Sequence, residues 1–483
     1  MASEINAWDE LSDPDYQFLV GLARAKLLDR FEHQVWDVGA CEHPVLLRGE
    51  TLTRAVDSGL VVARFSSDGT PFDVIMVRCM NRRGSRCKSC SRLYKGDTFQ
   101  LVLAGLVGGK GVPEAVRSHP KVFATVTAPS FGLVHRVIDP DDRDDRCQKQ
   151  KHAGRCVHGV ARSCVVVHGK DDPVVGSPVC PDCYDYAGQV LWNAYAAKLW
   201  GSLIDTVYHR LAAGSGEVRA AVRSLVRVEY VRVAEYQARG VVHFHAVLRL
   251  DGPDDRADDP PAWATAELLA AAVESAAETV AITLPESAAV GERVLRFGTE
   301  KDAHPIGASA GLSEEKVAGY LAKYVSKSTE DAHGVDTVVT HASQIDLRVK
   351  NPHTRALMHM AWRLGGLAEF KGLRLRAWCH MLAFPGHNTT KSRRFSVTRT
   401  RLAQDRTAYK ERRRHQGEEA LPSEAVTKEA HWQFVHSGYL SAPMENFAAD
   451  VGEQIELNRE LARDALGEIR RENERYDWAG PDD

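Results

Sequence analysis

The chain has 483 residues, enough for two or three domains, and its 44% hydrophobic and 26% charged residues are ordinary for a soluble globular protein. No apolar run approaches the roughly 20 residues that span a bilayer, and the acidic N-terminus lacks a signal-peptide core. We therefore predict a cytoplasmic protein without a membrane partner. The net charge of −3 excludes a generally basic surface, so any binding of nucleic acid must depend on local patches.

Two stretches of the chain are strongly basic. Residues 1–75 indicate mixed helix and loop of unknown role, and a cysteine-rich basic segment follows at residues 76–118. It carries seven Lys or Arg residues and no acid between positions 78 and 95, and the predicted DNA contacts there are Arg82, Arg83 and Arg86. In a second patch, at residues 391–415, the predicted DNA contacts are Lys391, Arg393 and Arg394. A solvated helix face explains the second patch about equally well.

Residues 119–330 alternate between strand and helix patterns and are predicted to form the core domain. The predicted elements are a strand at 121–128, a long helix at 184–213, strands at 223–236 and 241–250, a helix at 262–282, a strand at 293–297 and a final helix. A polar cysteine-rich insertion at 139–183 interrupts this domain, and residues 331–483 are predicted to be mostly helical. The pattern indicates an α+β fold, an antiparallel sheet with flanking helices.

Ten cysteines are many for a cytosolic chain, and most of them fall in two groups. In a reducing compartment, Cys-x-x-Cys spacing favours a bound metal over a disulfide. Tetrahedral zinc is the common structural metal for such ligands. The predicted structural Zn²⁺ ligands are Cys79, Cys87, Cys90, Cys147, Cys156, Cys164, Cys180 and Cys183.

The spacing suggests a division of these ligands between two sites. The pair Cys87 and Cys90, together with the pair Cys180 and Cys183, would complete one site of four thiolates. The remaining predicted ligands would form a second site with the help of a histidine, for which the candidates are His152, His158 and His168. Two isolated cysteines are interpreted as ordinary buried thiols, namely Cys41 and Cys379.

Residues 232–250 contain the most informative motif of the chain, His243-Phe244-His245. The stretch is predicted to form two strands joined at residues 238–240. Gly240 suits the left-handed position that closes a three-residue hairpin loop. This loop fixes which residues of the two strands lie opposite each other.

A metal site follows from that hairpin register. Alternate side chains of a strand share a face, so His243 and His245 point together while Phe244 points into the core. The register sets Glu235 opposite His243, and two histidines with a carboxylate suit Mg²⁺ or Mn²⁺ with open positions for substrate oxygen. Glu229 is the alternative carboxylate.

A helix with two tyrosines ends the predicted core domain. Ser313 followed by Glu314 and Glu315 is typical of a helix start. Tyr320 and Tyr324 are four residues apart and share one helical face. A metal on a sheet and tyrosines on a helix are the groups with which an enzyme forms a phosphotyrosine link to a nucleic acid.

Together these motifs resemble the HUH endonucleases, specifically the rolling-circle replication initiators. The resemblance rests on His243-Phe244-His245, on Tyr320-Leu-Ala-Lys-Tyr324 and on Val-Phe-Ala-Thr-Val-Thr-Ala-Pro-Ser-Phe-Gly at residues 122–132, in the order found in that family. The tyrosine pair is similar to the two-tyrosine form of some phage initiators. Most of residues 75–400 resembles initiators of actinomycete plasmids and integrative elements.

The resemblance implies a ferredoxin-like nicking and joining domain at residues 119–330. One tyrosine would attack a phosphate of single-stranded origin DNA, become joined to the 5′ phosphate and free a 3′-OH primer. Tyr324 is expected to act first, because the Lys-Tyr pair is shared with single-tyrosine relatives, and Tyr320 is expected to act second. Lys323 is expected to steady the phosphate charge.

The expected partners are origin DNA, a host helicase and a host polymerase. A host helicase is expected because Gly108-Gly109-Lys110-Gly111 has the wrong spacing for a Walker A motif and no Ser or Thr after the lysine. Three alternatives remain: a conjugative relaxase, a transposase of the same superfamily, and a zinc-dependent DNA-binding regulator without cleavage. In relaxases the tyrosine usually precedes the histidines, transposases are usually shorter, and a regulator would not need the intact histidines and tyrosines.

Overall fold

The structure, a computed structural model, describes residues 13–137, 147, 154–169, 171–307, 312–325, 334–335, 337–414 and 426–476. Its described helices are α1 (Pro14–Arg24), α2 (Leu28–Asp37), α3 (Lys88–Val107), α4 (Tyr186–Ser215), α5 (Arg219–Leu225), α6 (Ala266–Thr279), α7 (Glu314–Tyr324), α8 (Ser343–Arg348), α9 (Pro352–Leu364), α10 (Arg399–Arg414) and α11 (Ala442–Tyr476). Its described strands are β1 (Val45–Ala55), β2 (Val61–Ser66), β3 (Ile75–Val77), β4 (Lys121–Val126), β5 (Arg227–Tyr236), β6 (Val242–Asp251), β7 (Ala281–Thr283), β8 (Val294–Arg296), β9 (Lys301–Pro305), β10 (Thr389–Lys391) and β11 (Val426–Ser437).

The chain divides into two compact units. Unit 1 comprises Met1–Tyr94 and Arg406–Asp483, and unit 2 comprises Lys95–Asp405. Within the described parts of both units, every helix is too short or too polar to cross a membrane.

Unit 1 contains an antiparallel sheet built from both ends of the sequence. β1 pairs with β11 on one side and with β2 and β3 on the other. Buried side chains of α2, β1 and α11, among them Phe31, Leu46 and Met444, form its core. The sequence pattern predicts only helix and loop for residues 1–75 and mostly helix after residue 330, so β1, β2 and β11 depart from that prediction.

Unit 2 is organised around a five-stranded antiparallel sheet in the order β10-β5-β6-β4-β9. The predicted α+β fold with an antiparallel sheet is thereby confirmed. The strand predicted to begin at residue 223 begins instead at Arg227, because Arg219–Leu225 form α5. The predicted long helix is α4, in which the Asp185 side chain accepts a hydrogen bond from the N–H of Gly188 and Gly216 ends the helix in the left-handed conformation.

The two faces of this sheet have different chemistry. Phe244 is fully buried in the main core, where its ring centroid lies 5.7 Å from that of Trp200 on α4. α6 packs beside α4 and against β4 and β9. His243 and His245 have the opposite parity on β6 and therefore lie on the other face, where α7 contacts the sheet at β5.

Candidate active site

The β5–β6 hairpin has the predicted register. Glu235 lies opposite His243, and the N–H of Gln237 donates to the carbonyl of Val241 at 2.9 Å. Gly240 has a φ of 76°, which is the left-handed conformation expected at the loop. The hairpin prediction is confirmed.

Side chains from α4 hold the hairpin loop in place. Asn193 is fully buried; its amide donates to the carbonyl of Gly240 at 3.0 Å and accepts from the N–H of Val242 at 3.0 Å. Gln189 donates to the carbonyl of Arg239 at 2.8 Å. Neither residue is among the predicted site residues, because their spacing on α4 is that of any buried helix face.

Glu235, His243 and His245 converge at one point of the sheet. One carboxylate oxygen of Glu235 accepts from Nε2 of His243 at 2.8 Å and from Nε2 of His245 at 2.9 Å. Burial lowers the pKa of His245, which favours the neutral imidazole that a metal ion requires. The alternative carboxylate, Glu229, instead accepts hydrogen bonds from Ser392 and from the N–H of Arg394.

A neighbouring strand orients His245. Oγ1 of Thr125 on β4 shares a hydrogen bond with Nδ1 of His245 at 3.2 Å. The N–H of Thr125 donates to the side chain of Asp302 on β9 at 3.1 Å. Such partners fix the tautomer and the ring orientation of a metal-binding histidine. Thr125 lies in the sequence motif of residues 122–132, but the motif alone does not indicate this contact.

Both tyrosines of α7 lie against His245. The ring centroids of Tyr320 and Tyr324 are 5.1 and 5.0 Å from that of His245 and 4.7 Å from each other. The helix starts as predicted, with the Ser313 side chain accepting from the N–H of Lys316 at 3.3 Å. Burial and the hydrogen bond with Tyr324 raise the pKa of Tyr320. Two phenol rings and the Glu-His-His cluster thus share one surface.

Lys323 lies beside the second tyrosine. Its side chain is exposed, and Nζ is 5.4 Å from the ring centroid of Tyr324. That distance brings a positive charge to the edge of the surface that the tyrosines share with His245.

The predicted DNA-binding residues differ in how much surface they offer. In unit 1, Arg86 is exposed and Arg82 and Arg83 are half-buried. In unit 2, Lys391 donates to the carbonyls of Ser392 and Arg393, and Arg394 donates to those of Pro253 and Asp254. Arg393 is exposed and is the member of the second patch most open to a phosphate.

The structure groups the predicted zinc ligands differently from the sequence-based division. The groups are set A (Cys41, Cys79, Cys87 and Cys90), set B (His135, Cys147, Cys164 and His168) and set C (Cys156, His158, Cys180 and Cys183). The ligand atoms of each set lie within 4.8 Å of one another. The predicted first site is wrong, because each of its two cysteine pairs completes a different set. The predicted second site is also wrong, because its four cysteines are divided among all three sets.

Four residues besides those eight cysteines belong to the three sets. Cys41 is not an isolated thiol, since it belongs to set A, and His135 is a member of set B that the sequence did not indicate. Of the three candidate histidines, His158 belongs to set C and His168 to set B, whereas His152 lies outside the described residues. Cys379 is the buried thiol that was predicted; its Sγ donates to the carbonyl of Met358 at 3.3 Å.

Comparison with known proteins assigns this chain to the replication initiators. A family profile described as "Replication initiator protein, pSAM2" (RepSA) matches residues 27–453, and the chain belongs to that family. A replication initiator protein from Streptomyces ambofaciens is 37% identical over 470 residues, which are 95% of this chain and 97% of that protein. No solved structure matches the chain. The predicted resemblance to replication initiators is confirmed.

Proposed function

We propose that this replication initiator starts rolling-circle replication by nicking one strand of a plasmid or integrative-element origin, and that unit 2 contains an HUH endonuclease core. The observation that carries the proposal is the approach of two tyrosine rings to within 5.1 Å of His245, which shares Glu235 with His243. Phenol oxygens are nucleophiles, and a Glu-His-His cluster beside them suits activation of a phosphodiester.

The three clustered side chains fit a divalent cation. Two imidazole nitrogens and one carboxylate oxygen, contributed by His243, His245 and Glu235, lie within 4.8 Å of one another. The buried Glu235 carboxylate has two imidazole donors as its partners there, a contact that a cation can replace. Mg²⁺ or Mn²⁺ bound by these residues would draw negative charge from a phosphate oxygen.

The tyrosines supply the covalent chemistry. The hydroxyl oxygen of Tyr324 attacks the scissile phosphorus, a P–O bond to tyrosine forms, and the P–O3′ bond breaks. The tyrosine proton leaves to solvent and the departing 3′ oxygen takes up a proton, so that a 5′-phosphotyrosine and a 3′-OH primer result. Tyr320 attacks the regenerated site after one round, and the 3′-OH that this attack frees then attacks the phosphotyrosine of Tyr324. The bond between phosphorus and Tyr324 breaks, the phenol oxygen takes up a proton, and the strand ends are rejoined. Lys323 steadies the phosphate charge during both tyrosine attacks.

Binding of origin DNA is assigned to the exposed basic side chains. Arg86 and Arg393 are the most open of the predicted contacts, and Arg82, Arg83, Lys391 and Arg394 complete the two patches. A host helicase and a host polymerase would separate and copy the strands after the nick.

A nicking assay tests the proposal. The full-length protein is incubated with Mn²⁺ and supercoiled DNA that carries the sequence flanking its gene, then digested for mass spectrometry. We expect relaxed circles and a nucleotide-linked peptide containing Tyr324 or Tyr320, and neither product after chelation of the metal. Specific binding without a nick or an adduct would overturn the proposal in favour of a DNA-binding regulator.

A further inference from the structure

The three Cys/His sets have the dimensions of tetrahedral zinc sites. Zn–S bonds of about 2.3 Å and Zn–N bonds of about 2.0 Å place two tetrahedral ligand atoms about 3.3–3.8 Å apart. The S–S, S–N and N–N separations within the sets run from 3.2 to 3.8 Å. A disulfide would need about 2.05 Å, and all ten cysteines are free thiols.

Set A is a cluster of four thiols, of which Cys79 is half-buried and the other three are buried. Sγ of Cys41 lies 3.8 Å from that of Cys87 and 3.6 Å from that of Cys90, and all three side chains are buried. Backbone N–H groups donate to two of the sulfurs. The N–H of Cys79 donates to Sγ of Cys41 at 3.3 Å, and the N–H of Cys90 donates to Sγ of Cys87 at 3.4 Å. These donors suit thiolates, and four neighbouring thiolates, three of them buried, require a cation to offset their charge.

Set B contains a histidine with an orienting carboxylate. Nδ1 of His168 donates to Asp172 at 2.7 Å, so its Nε2 is left with a lone pair. That Nε2 lies 3.2 Å from Nδ1 of His135 and 3.4 Å from Sγ of Cys164. A carboxylate behind a histidine is the usual outer partner of a zinc ligand.

The last two ligands of set C, Cys180 and Cys183, lie just before the first residue of α4. Sγ of Cys156 is 3.7 Å from Sγ of Cys180, and Nδ1 of His158 is 3.2 Å from Sγ of Cys183. Gly159 has a φ of 77° and donates its N–H to the carbonyl of Cys156 at 2.9 Å, so the loop turns back on itself. This turn brings the first two ligands of set C to one side of the cluster.

Sets B and C are interlocked along the sequence. Their ligands alternate in pairs, in the order His135 and Cys147 (set B), Cys156 and His158 (set C), Cys164 and His168 (set B), Cys180 and Cys183 (set C). Closing either set therefore encloses chain that belongs to the other. We propose that the protein binds three Zn²⁺ ions, one in each set, and that the ions of sets B and C together fix one cross-braced module.

The cross-braced module packs against the hairpin loop of unit 2. The N–H of Gly176 donates to the carbonyl of His135 at 2.8 Å, which ties it to set B. A Cβ at position 176 would meet the backbone carbonyl carbon of Ala238 at 2.3 Å. The zinc-braced chain thus lies in backbone contact with the loop that joins Glu235 to His243.

Zinc content and ligand type test the three-ion assignment on the intact protein. Sets A, B and C offer nine sulfur and three nitrogen ligands. We expect three zinc ions per chain by elemental analysis, and an X-ray absorption spectrum that fits a mean of three sulfurs and one nitrogen per zinc. Two or fewer ions after zinc-replete expression, all-sulfur coordination, or iron in place of zinc would overturn the assignment.

Single-ligand variants locate the ions. Cys90→Ser is expected to lose one zinc ion, and Cys164→Ser to lose one or two, because its set is interlocked with set C. Cys379→Ser, which changes a buried thiol outside the three sets, is expected to keep all three. An unchanged count in Cys90→Ser or Cys164→Ser, or a loss in Cys379→Ser, would contradict the assigned ligands.

Discussion

Glu235 and His243 lie directly opposite each other in the β5–β6 hairpin, and Nε2 of His243 donates to the Glu235 carboxylate at 2.8 Å. The same carboxylate oxygen accepts from His245, so it is the shared acceptor of both imidazoles. Glu235→Gln keeps the size of the side chain but removes its charge. We expect the affinity for Mn²⁺ to fall at least about tenfold, a loss of about 1.4 kcal/mol, and nicking to fall with it.

Glu229→Gln is the matched control for that change. Glu229 is a buried carboxylate on the same strand, but its partners are Ser392 and Arg394. Mn²⁺ affinity, followed by the electron paramagnetic resonance signal of the free ion, should stay unchanged in this variant. Equal losses in the two variants would mean that Glu235 acts on stability rather than on the metal.

The two tyrosines are expected to differ in the first cleavage. Tyr324→Phe should abolish the covalent adduct, because the nucleophilic oxygen is removed, while Tyr320→Phe should still cleave once and fail in later rounds. Tyr195→Phe serves as the control, because Tyr195 is on α4, which packs on the Phe244 face of the sheet and not on the face of the Glu-His-His cluster. Single-turnover cleavage of an origin oligonucleotide decides the matter, and the assignment is wrong if Tyr324→Phe cleaves normally while Tyr320→Phe is inactive.

Contact between the cross-braced module and the hairpin loop makes Gly176 sensitive to substitution. Gly176 and Gly159 both have positive φ angles, 85° and 77°, so alanine at either site costs about 1–2 kcal/mol of backbone strain. A Cβ at Gly159 meets nothing within 4 Å, whereas one at Gly176 overlaps the backbone of Ala238. Gly176→Ala should therefore lower the melting temperature clearly more than Gly159→Ala. Similar melting temperatures would argue against this contact.

Asn193 joins α4 to the hairpin and to the chain near Leu382. Its amide donates to the carbonyls of Gly240 and Leu382 and accepts from Val242. Asn193→Ala leaves buried groups without partners, so we expect a loss of about 2–4 kcal/mol in the free energy of unfolding and faster amide exchange in residues 241–250. Gln237→Ala, a half-buried amide of the same loop, should cost less than about 1 kcal/mol. Unchanged exchange in Asn193→Ala would contradict the role assigned to this amide.

The buried imidazole of His353 predicts a dependence of stability on pH. Burial lowers its pKa from about 6.5 to about 4, and its Nε2 hydrogen-bonds the carbonyl of Arg239 at 3.0 Å. Below pH 6.5 the unfolded chain takes up a proton that the folded chain does not, so the free energy of unfolding falls as pH falls from 6.5 towards 4. Between pH 7 and 5.5 this amounts to about 1 kcal/mol.

His353→Gln isolates the contribution of His353, because the glutamine amide still has a donor for the Arg239 carbonyl but does not titrate. Urea unfolding of both proteins at pH 7 and at pH 5.5 gives the comparison. The wild type should lose about 1 kcal/mol more than the variant over this interval. Parallel losses would place the titrating group elsewhere.

The candidate active site follows from the sequence because its determinants are local. Gly240 sets the loop, the loop sets Glu235 opposite His243, and alternation then places His245 on the same face. The tyrosines are equally local, since Ser313 starts their helix and a spacing of four residues aligns them.

What the sequence could not supply depends on contacts between distant segments. Cys41 belongs to set A together with Cys79, which is 38 residues away in the sequence. A spacing that long does not indicate that the two cysteines share a site. Strand β11 has a polar, mostly exposed pattern and gains its partner, β1, from more than 370 residues away. Asn193 and Thr125 are ordinary residues whose roles come only from the groups that the fold sets beside them.

Pairing of β1 with β11 also affects the order in which the two units can fold during synthesis of the chain. Val45–Ala55 leave the ribosome more than 370 residues before their partner strand, Val426–Ser437. The residues of unit 2 form one uninterrupted stretch between them, so that unit can fold first, against the usual N-terminal-first order. A ribosome that stops early would release the tyrosines and the Glu-His-His cluster attached to an unfinished N-terminal sheet.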